Sequence, residues 1–289
     1  MRLTLGSVQF GTSYGISNIA GKVLPSEVGK ILRLAKKYNI DTIDTAISYG
    51  DSESVLGDVG VDDFQIITKL PPLPDNLYDV SGWLEKEVEG SLSRLQKNSI
   101  HGLLVHHAEY LEESIGQKFG LALNKVKSSG LVKKVGVSIY QPSVLEVIMK
   151  NAAIDIVQAP FNVVDRSIMS SGWLDKLNKA GIEVHVRSIF MQGLLLMDRP
   201  CIPDKFKRWS AIWDYWHENL NKHNLDALTQ CVSFVNSYSN IDRLVIGIES
   251  ASQLQQILDA IGSDHTTIDW SQMTCDDDML INPSNWSKL

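Results

Sequence analysis

Ile43-Asp44-Thr45-Ala46-Ile47-Ser48-Tyr49-Gly50-Asp51-Ser52-Glu53 opens on an apolar β-type run that ends in an acid, and a tyrosine follows five residues after it. Two later runs end in the same manner. Phe64-Gln65-Ile66-Ile67-Thr68-Lys69 ends in an amine, and Leu103-Leu104-Val105-His106 ends in an imidazole. In a barrel of parallel strands the C-terminal strand ends converge on one mouth. A phenol with the ordinary pKa of about 10 is a poor proton donor at neutral pH. A buried ammonium beside it favours the phenolate, a carboxylate holds the ammonium charged, and a histidine polarises a carbonyl or relays the proton. Asp44, Tyr49, Lys69 and His106 fit these four roles. Taken singly they read more plainly: a helix-capping acid, a turn aromatic, a loop lysine and a half-buried histidine. Their joint placement at successive strand ends carries the argument. His106 is preferred to His107 because Leu104 and His106 share one side of a strand.

Working outward, short β-type runs alternate with helical periodicities along the whole chain. Strands are expected at residues 8–11, 42–46, 64–69, 102–106, 134–138, 154–160, 183–188 and 244–247. Several are near-continuous apolar runs, as parallel strands covered on both faces require. Between them, Val28, Ile31, Leu32 and Ala35 form a helical stripe behind Pro25. Leu84, Val88, Leu92 and Leu95 form another, and Ile115, Phe119, Leu123 and Val126 a third, closed by Gly130. Eight β units alternating with helices, and no break in composition, predict a single (β/α)8 TIM barrel domain over residues 1–289. A doubly wound sheet is disfavoured, because Gly6-Ser7-Val8-Gln9-Phe10-Gly11 lacks the Gly-x-Gly-x-x-Gly spacing. The stretch 191–240 adds an extra helical segment before the last strand, rich in aromatics (Trp209, Trp213, Tyr215, Trp216). It is expected either to cover the barrel mouth or to pack as an amphipathic helix against the barrel.

Composition narrows the function classes. A chain of 289 residues with 44% hydrophobic and 21% charged residues is ordinary globular material. The net charge of −7 argues against nucleic acid or an anionic membrane as the main partner. No apolar run reaches the roughly 20 residues that span a bilayer, and Met1-Arg2-Leu3-Thr4-Leu5-Gly6-Ser7 lacks a secretion signal's apolar stretch. Cys201, Cys231 and Cys275 are neither a disulfide framework nor a metal knuckle. The expectation is a reduced, cytoplasmic protein without a metal, whose partner is a small molecule. Its oligomeric state is not legible.

The stretch 44–53 resembles the aldo-keto reductase signature. The likeness extends through Thr68-Lys69, Leu104-Val105-His106, Gly136-Val137-Ser138, Val157 to Asn162 and Gln192-Gly193-Leu194-Leu195, and on to Asn282-Pro283-Ser284-Asn285-Trp286. It covers essentially the whole chain, and bacterial members associated with sugar and polysaccharide biosynthesis share its style. The resemblance implies a (β/α)8 barrel that passes hydride from NAD(P)H to an aldehyde or ketone, with Tyr49 as general acid and Asp44, Lys69 and His106 completing the tetrad. It puts Ser138 and Gln158 at the nicotinamide carboxamide and Gly11 and Thr12 near the cofactor. Arg187, Ser188, Glu249 and Gln253 fall on the cofactor side through the last two strand ends.

Three positions depart from the family pattern. Ile139 stands where an asparagine usually follows the Gly-Val-Ser motif, removing a hydrogen bond worth about 1 kcal/mol. Arg187 stands where many members stack an aromatic on the nicotinamide, and its charge also suits an anionic substrate such as an acid or a phosphorylated sugar. Glu249 stands where members using NADPH tend to carry lysine or arginine. A carboxylate repels a 2′-phosphate and accepts from a ribose 2′-OH, so the pattern leans towards NADH. The helix expected to begin near Ala251 offers amide donors for the pyrophosphate region or the ribose. Two other classes remain open: a regulatory barrel that binds the cofactor without catalysis, and a non-redox sugar dehydratase or isomerase using Lys69 or His106 as base.

Overall fold

The computed structural model describes residues 2–75, 77–112, 115–262 and 268–289. Eight parallel strands close into one barrel in sequence order. They are β1 (Leu3–Gly6), β2 (Thr42–Asp44), β3 (Gln65–Lys69), β4 (Ile100–Val105), β5 (Val132–Ser138), β6 (Ile156–Pro160), β7 (Glu183–Arg187) and β8 (Arg243–Gly247). The ring is completed where β8 pairs with β1, Leu3 against Leu244 and Gly6 against Gly247. Helices between the strands make this the (β/α)8 TIM barrel that the alternating pattern predicts.

One strand lies elsewhere than expected. Residues 8–11 form a turn of helix, with Phe10 N bonded to Ser7 O at 2.9 Å and Thr12 N to Val8 O at 3.0 Å. The strand is the preceding Leu3-Thr4-Leu5-Gly6. Both runs are short and apolar, and the choice between them is made by β8, some 240 residues away in sequence, and by β2, where Leu5 pairs with Ile43 and Gly6 with Asp44. The other seven strands fall where expected, with ends moved by one or two residues. β4 stops at Val105, so His106 is the first residue of the loop after it.

Strand alternation builds the barrel interior in layers. Ile67, Leu104 and Ile156 form a small apolar cluster of their own, each at most 1% exposed. Gly102 makes room for it, since a Cβ there would stand 3.1 Å from Ile156 Cδ1 and 3.2 Å from Ile67 Cγ1. Two residues further along the same strands come Lys69, His106 and Gln158. An apolar floor therefore lies directly beneath the polar mouth.

Around the barrel, Pro25 starts the helix Pro25–Lys37, which buries Val28, Ile31, Leu32 and Ala35. Asp79 caps the helix Val80–Leu95 by accepting from Gly82 N at 2.9 Å. Gly130, at φ +81°, follows the helix Gly116–Ser128. The aromatic residues of the extra segment do not line the mouth. Trp216 Nε1 donates to Leu195 O, its ring lies 4.7 Å from Trp270, and Phe206 packs edge-on to Trp286 at 4.9 Å. These rings fasten the C-terminal stretch to residues 204–223, a role different from both of those expected of the segment. Only its first turn, 191–196, reaches the mouth.

The outer wall is tied to β3 by a buried carboxylate. Glu53, 2% exposed, accepts from Thr68 Oγ1 (2.6 Å), Ser91 Oγ (3.2 Å) and Arg94 Nε (2.7 Å). It joins the helices Ser52–Val59 and Val80–Leu95 to the residue beside Lys69. Arg94→Met leaves that carboxylate without its cation, and breaks of this kind cost about 3 kcal/mol or more. Equilibrium urea unfolding is expected to show a loss of that size. A loss under about 0.5 kcal/mol would mean that the pair behaves as an exposed one.

Candidate active site

The C-terminal mouth of the barrel opens into a cavity of about 350 Å³, lined by strand ends and the loops that follow them. Asp44 and Lys69 form its innermost polar pair, 3% and 1% exposed. Lys69 Nζ stands 2.5 Å from Asp44 Oδ1 and donates to Thr45 O at 2.9 Å. Burial alone would depress the lysine's pKa. The Asp44 carboxylate, with the neighbouring Tyr49 phenol, outweighs it and holds the ammonium above its ordinary range. The other carboxylate oxygen, Asp44 Oδ2, accepts from Gln158 Nε2 at 2.7 Å. The pair thus has several partners besides each other, which a buried ion pair needs.

Tyr49 and His106 complete the group. Lys69 Nζ lies 5.0 Å from the centre of the Tyr49 ring, and the His106 ring meets Tyr49 edge-on at 6.0 Å and 82°. Burial first, then the positive charges of Lys69, Arg187 and His107, pushes His106 down to about 3, so its imidazole is neutral throughout the physiological range. Its Nδ1 is buried and has no partner within the protein.

The Tyr49 turn is held by close backbone contact. A Cβ on Gly11 would stand 1.8 Å from Tyr49 O, and one on Gly50, at φ +57°, would stand 2.4 Å from Gly11 O. The two glycines cross face to face where no side chain fits. Ser52 Oγ pins the end of the turn by donating to Ser7 O at 2.9 Å. Gly11 therefore supports the tyrosine from behind and does not line the cavity. Thr12 does not line it either; its hydroxyl donates to Val8 O at 3.0 Å.

On the far side, Gln158 lines the cavity while Ser138 stands behind it, donating to Gln158 Oε1 at 3.3 Å. Ile139 is 1% exposed and packs in the apolar core, but its carbonyl accepts from Arg187 Nη2 at 3.0 Å. Arg187, Ser188, Glu249 and Gln253 all line the cavity. The expected helix does begin at Ala251, although two of its first amides are already occupied: Ala251 N donates to Glu27 Oε1 at 2.9 Å and Gln253 N to Ser250 Oγ at 3.1 Å. Burial pushes the Glu249 carboxyl up.

Sequence reasoning missed four residues of the rim: Gln9, Tyr14, Tyr140 and Gln192. None ends a strand, and they come together only because loops from distant parts of the chain meet. Gln192 Nε2 donates to Tyr14 Oη at 2.9 Å, and Ser17 Oγ donates to Gln192 O at 3.3 Å. The 188–193 turn carries positive φ at Ser188, Met191, Gln192 and Gly193. Burial first, then the phenols Tyr140 and Tyr49, pushes Tyr14 up to about 12, so it stays protonated. Gln9 Oε1 is buried without a partner on the cavity wall.

The profile of the aldo/keto reductase family matches residues 2–274. The chain belongs to that family. The family is one of NAD(P)-dependent oxidoreductases acting on small-molecule carbonyls. The chain is also similar to an uncharacterized oxidoreductase of Bacillus subtilis, YqkF, at 28% identity over 176 residues, which is 57% of this chain and 56% of that protein. Among solved structures, aldo-keto reductase AKR11C1 from Bacillus halodurans in its holo form superimposes with a TM-score of 0.74 at 18% identity, covering 94% of this chain and 90% of that one. The glycerol dehydrogenase AKR11B4 from Gluconobacter oxydans gives 0.70 at 20%, covering 94% and 89%. At these identities the two structures share the fold with this chain. The donors and acceptors that a nicotinamide dinucleotide needs line the mouth: Gln158 and Ser188 offer amide and hydroxyl groups, and Glu249 and Gln253 offer acceptors on the β8 side. Among the described residues no cluster of His, Cys, Asp or Glu forms a metal site, and no helix is long and apolar enough to cross a membrane.

The depressed His106 pKa has a definite sign. The unfolded chain takes up its proton near 6.5 and the folded chain only near 3, so native stability attributable to this group falls as pH drops from above 6.5 towards 3. His106→Gln is expected to flatten the acid limb of a stability–pH curve measured by urea unfolding between those values. An unchanged slope would show that the imidazole is protonated in the native state.

Proposed function

We propose that this chain reduces an aldehyde or ketone with NAD(P)H, with Tyr49 as the general acid, and that NADH is the preferred nucleotide. The observation that supports this most directly is the arrangement of three groups at one mouth, with the Lys69 ammonium bonded to the Asp44 carboxylate and 5.0 Å from the Tyr49 ring. A reduced nicotinamide, when bound, supplies the hydride. Tyr49 gives its phenolic proton to the carbonyl oxygen, and the Lys69 ammonium stabilises the negative charge left on the phenol. Asp44 keeps that ammonium charged and fixed, with Gln158 and the Thr45 carbonyl holding the pair in register. His106, neutral and with an unpartnered ring nitrogen, orients the carbonyl by hydrogen bonding and does not compete as the acid. Gln158 keeps one N–H and one lone pair for the carboxamide, and Ser138 fixes its rotation.

The nucleotide preference is supported by two carboxylates near the start of the helix Ala251–Gly262. Glu27 is bonded to its first amide, and Glu249 lines the cavity two residues before it. An added 2′-phosphate would meet negative charge and an amide that already has an acceptor, whereas a ribose hydroxyl would meet acceptors.

Tyr49→Phe is expected to lower kcat by about 10²–10⁴-fold, the range of general acid catalysis, with dinucleotide binding by fluorescence titration unchanged. Retained activity would remove Tyr49 from its role, and a native protein that binds neither dinucleotide would end the reductase reading. Glu249→Lys is expected to move the ratio of NADPH to NADH dissociation constants about tenfold towards NADPH, equivalent to about 1.4 kcal/mol. An unmoved ratio would mean that Glu249 does not face the ribose.

A further inference from the structure

Arg187 is a cation of the cavity wall that the proposed chemistry does not use. It ends β7, two residues beyond His185 on the same side of the strand, and lines the cavity together with Tyr49 and His106. Its guanidinium carbon lies 4.3 Å from the centre of the Tyr140 ring. Nη2 donates to Ile139 O at 3.0 Å and Nη1 to Ser188 Oγ at 3.3 Å. These partners are all neutral. Among the described residues no carboxylate is paired with Arg187. A guanidinium carries five N–H donors in a rigid fork, so three are left over.

The other charges of the wall do not answer this one. Asp44 is bonded to Lys69 and Gln158. Among the described residues Glu249 forms no ion pair with it. The arginine is thus locked in orientation by a ring, a carbonyl and a hydroxyl; the buried Asp165 feels its charge but spends its hydrogen bonds on Ser167, so the guanidinium keeps unused donors beside the proton donor. That charge also helps keep His106 neutral. Three unused donors on the cavity wall are available to the oxygens of an anion. Arginine's planar fork matches the two oxygens of a carboxylate or phosphate.

We propose that the substrate is an anionic carbonyl compound, bearing a carboxylate or a phosphate that seats on Arg187 while its carbonyl lies at Tyr49 and His106. The inference rests on the reductase reading above and adds the substrate class to it. Carboxylate and phosphate present the same paired oxygens, so matched substrates must distinguish them.

The test compares native protein with Arg187→Met on 4-carboxybenzaldehyde against its neutral methyl ester, and on glyceraldehyde 3-phosphate against glyceraldehyde, with NADH and with NADPH. At least one anion should be preferred over its neutral partner, and the favoured pair identifies the group. Arg187→Met should lower kcat/KM for that anion by about 10²-fold, the loss of a charge-assisted hydrogen-bonded pair, mainly through KM. The neutral partner and dinucleotide binding should lose far less than the anion, so that the anion-to-neutral ratio of kcat/KM collapses, and Arg187→Lys should recover part of the loss. If Arg187→Met fails to fold by circular dichroism, Arg187→Gln takes its place. The inference is overturned if the native protein favours neither anion, if neutral and anionic substrates suffer alike, or if dinucleotide binding weakens as much as anion turnover, which would assign Arg187 to the nicotinamide. If no carbonyl is reduced at all, the reductase reading falls separately, and calorimetry on 4-(hydroxymethyl)benzoate against benzyl alcohol still decides the subsite. Carboxylate binding that Arg187→Met abolishes upholds it, and equal or absent binding overturns it.

Discussion

The ion pair between Asp44 and Lys69 is the interaction on which the rest of the mouth depends. Two charges at 3% and 1% exposure would be strongly destabilising in isolation. They persist because each has further partners: Thr45 O on the ammonium and Gln158 on the carboxylate. Those partners come from β6 and from the residue after β2, so the pair also fixes how far apart these elements sit. Beneath it, Ile67, Leu104 and Ile156 fill the barrel and keep water from reaching the pair from below. One charge centre therefore sits beneath the phenol and adds to the burial that keeps the histidine opposite neutral.

The surroundings of the tetrad follow from the same constraint. With a fixed ammonium in place, a second cation nearby makes a charged imidazole unfavourable, and both Lys69 and Arg187 press His106 towards the neutral form. The mouth thereby separates its functions: one phenol beside an ammonium, one neutral imidazole, and a second phenol, Tyr14, held protonated by burial. The β8 side has the opposite character. Its helix start is capped by Glu27 and Ser250, and Glu249 faces the cavity. Positive charge at the Lys69 and Arg187 side and acceptors at the β8 side give the cavity a polarity along its length.

Much of this was legible in the residues because both signals are local. A strand's apolar run and the polar residue that ends it lie within a few positions of each other, and parallel barrel geometry makes those ends converge whatever the loops do. That is why Asp44, Lys69, His106 and Gln158 are readable one strand at a time. Gly11 and Thr12 show the limit of the approach. Their place after the first apolar run suggested a cofactor contact, but the strand is Leu3–Gly6, and Gly11 serves instead as the surface against which the Tyr49 turn packs. Ser138 likewise stands one layer behind Gln158.

By itself the sequence determined the barrel, the order of its strands and the helical stripes that cover it, and it pointed to Asp44, Tyr49, Lys69 and His106 as groups that meet at one mouth, since these rest on periodicity or on residue type at or just beyond a strand end. Only the tertiary structure decided which of two neighbouring runs is the first strand, because ring closure depends on pairing with β8 at the other end of the chain. It also decided that the aromatic segment after residue 191 fastens the C-terminal stretch, that Tyr14 meets Gln192 over the mouth, and that Glu27 reaches the amide of Ala251. These contacts join residues separated by 54 to 224 positions. Nothing in local pattern encodes such meetings; they exist only once the barrel has closed and brought its loops to one end.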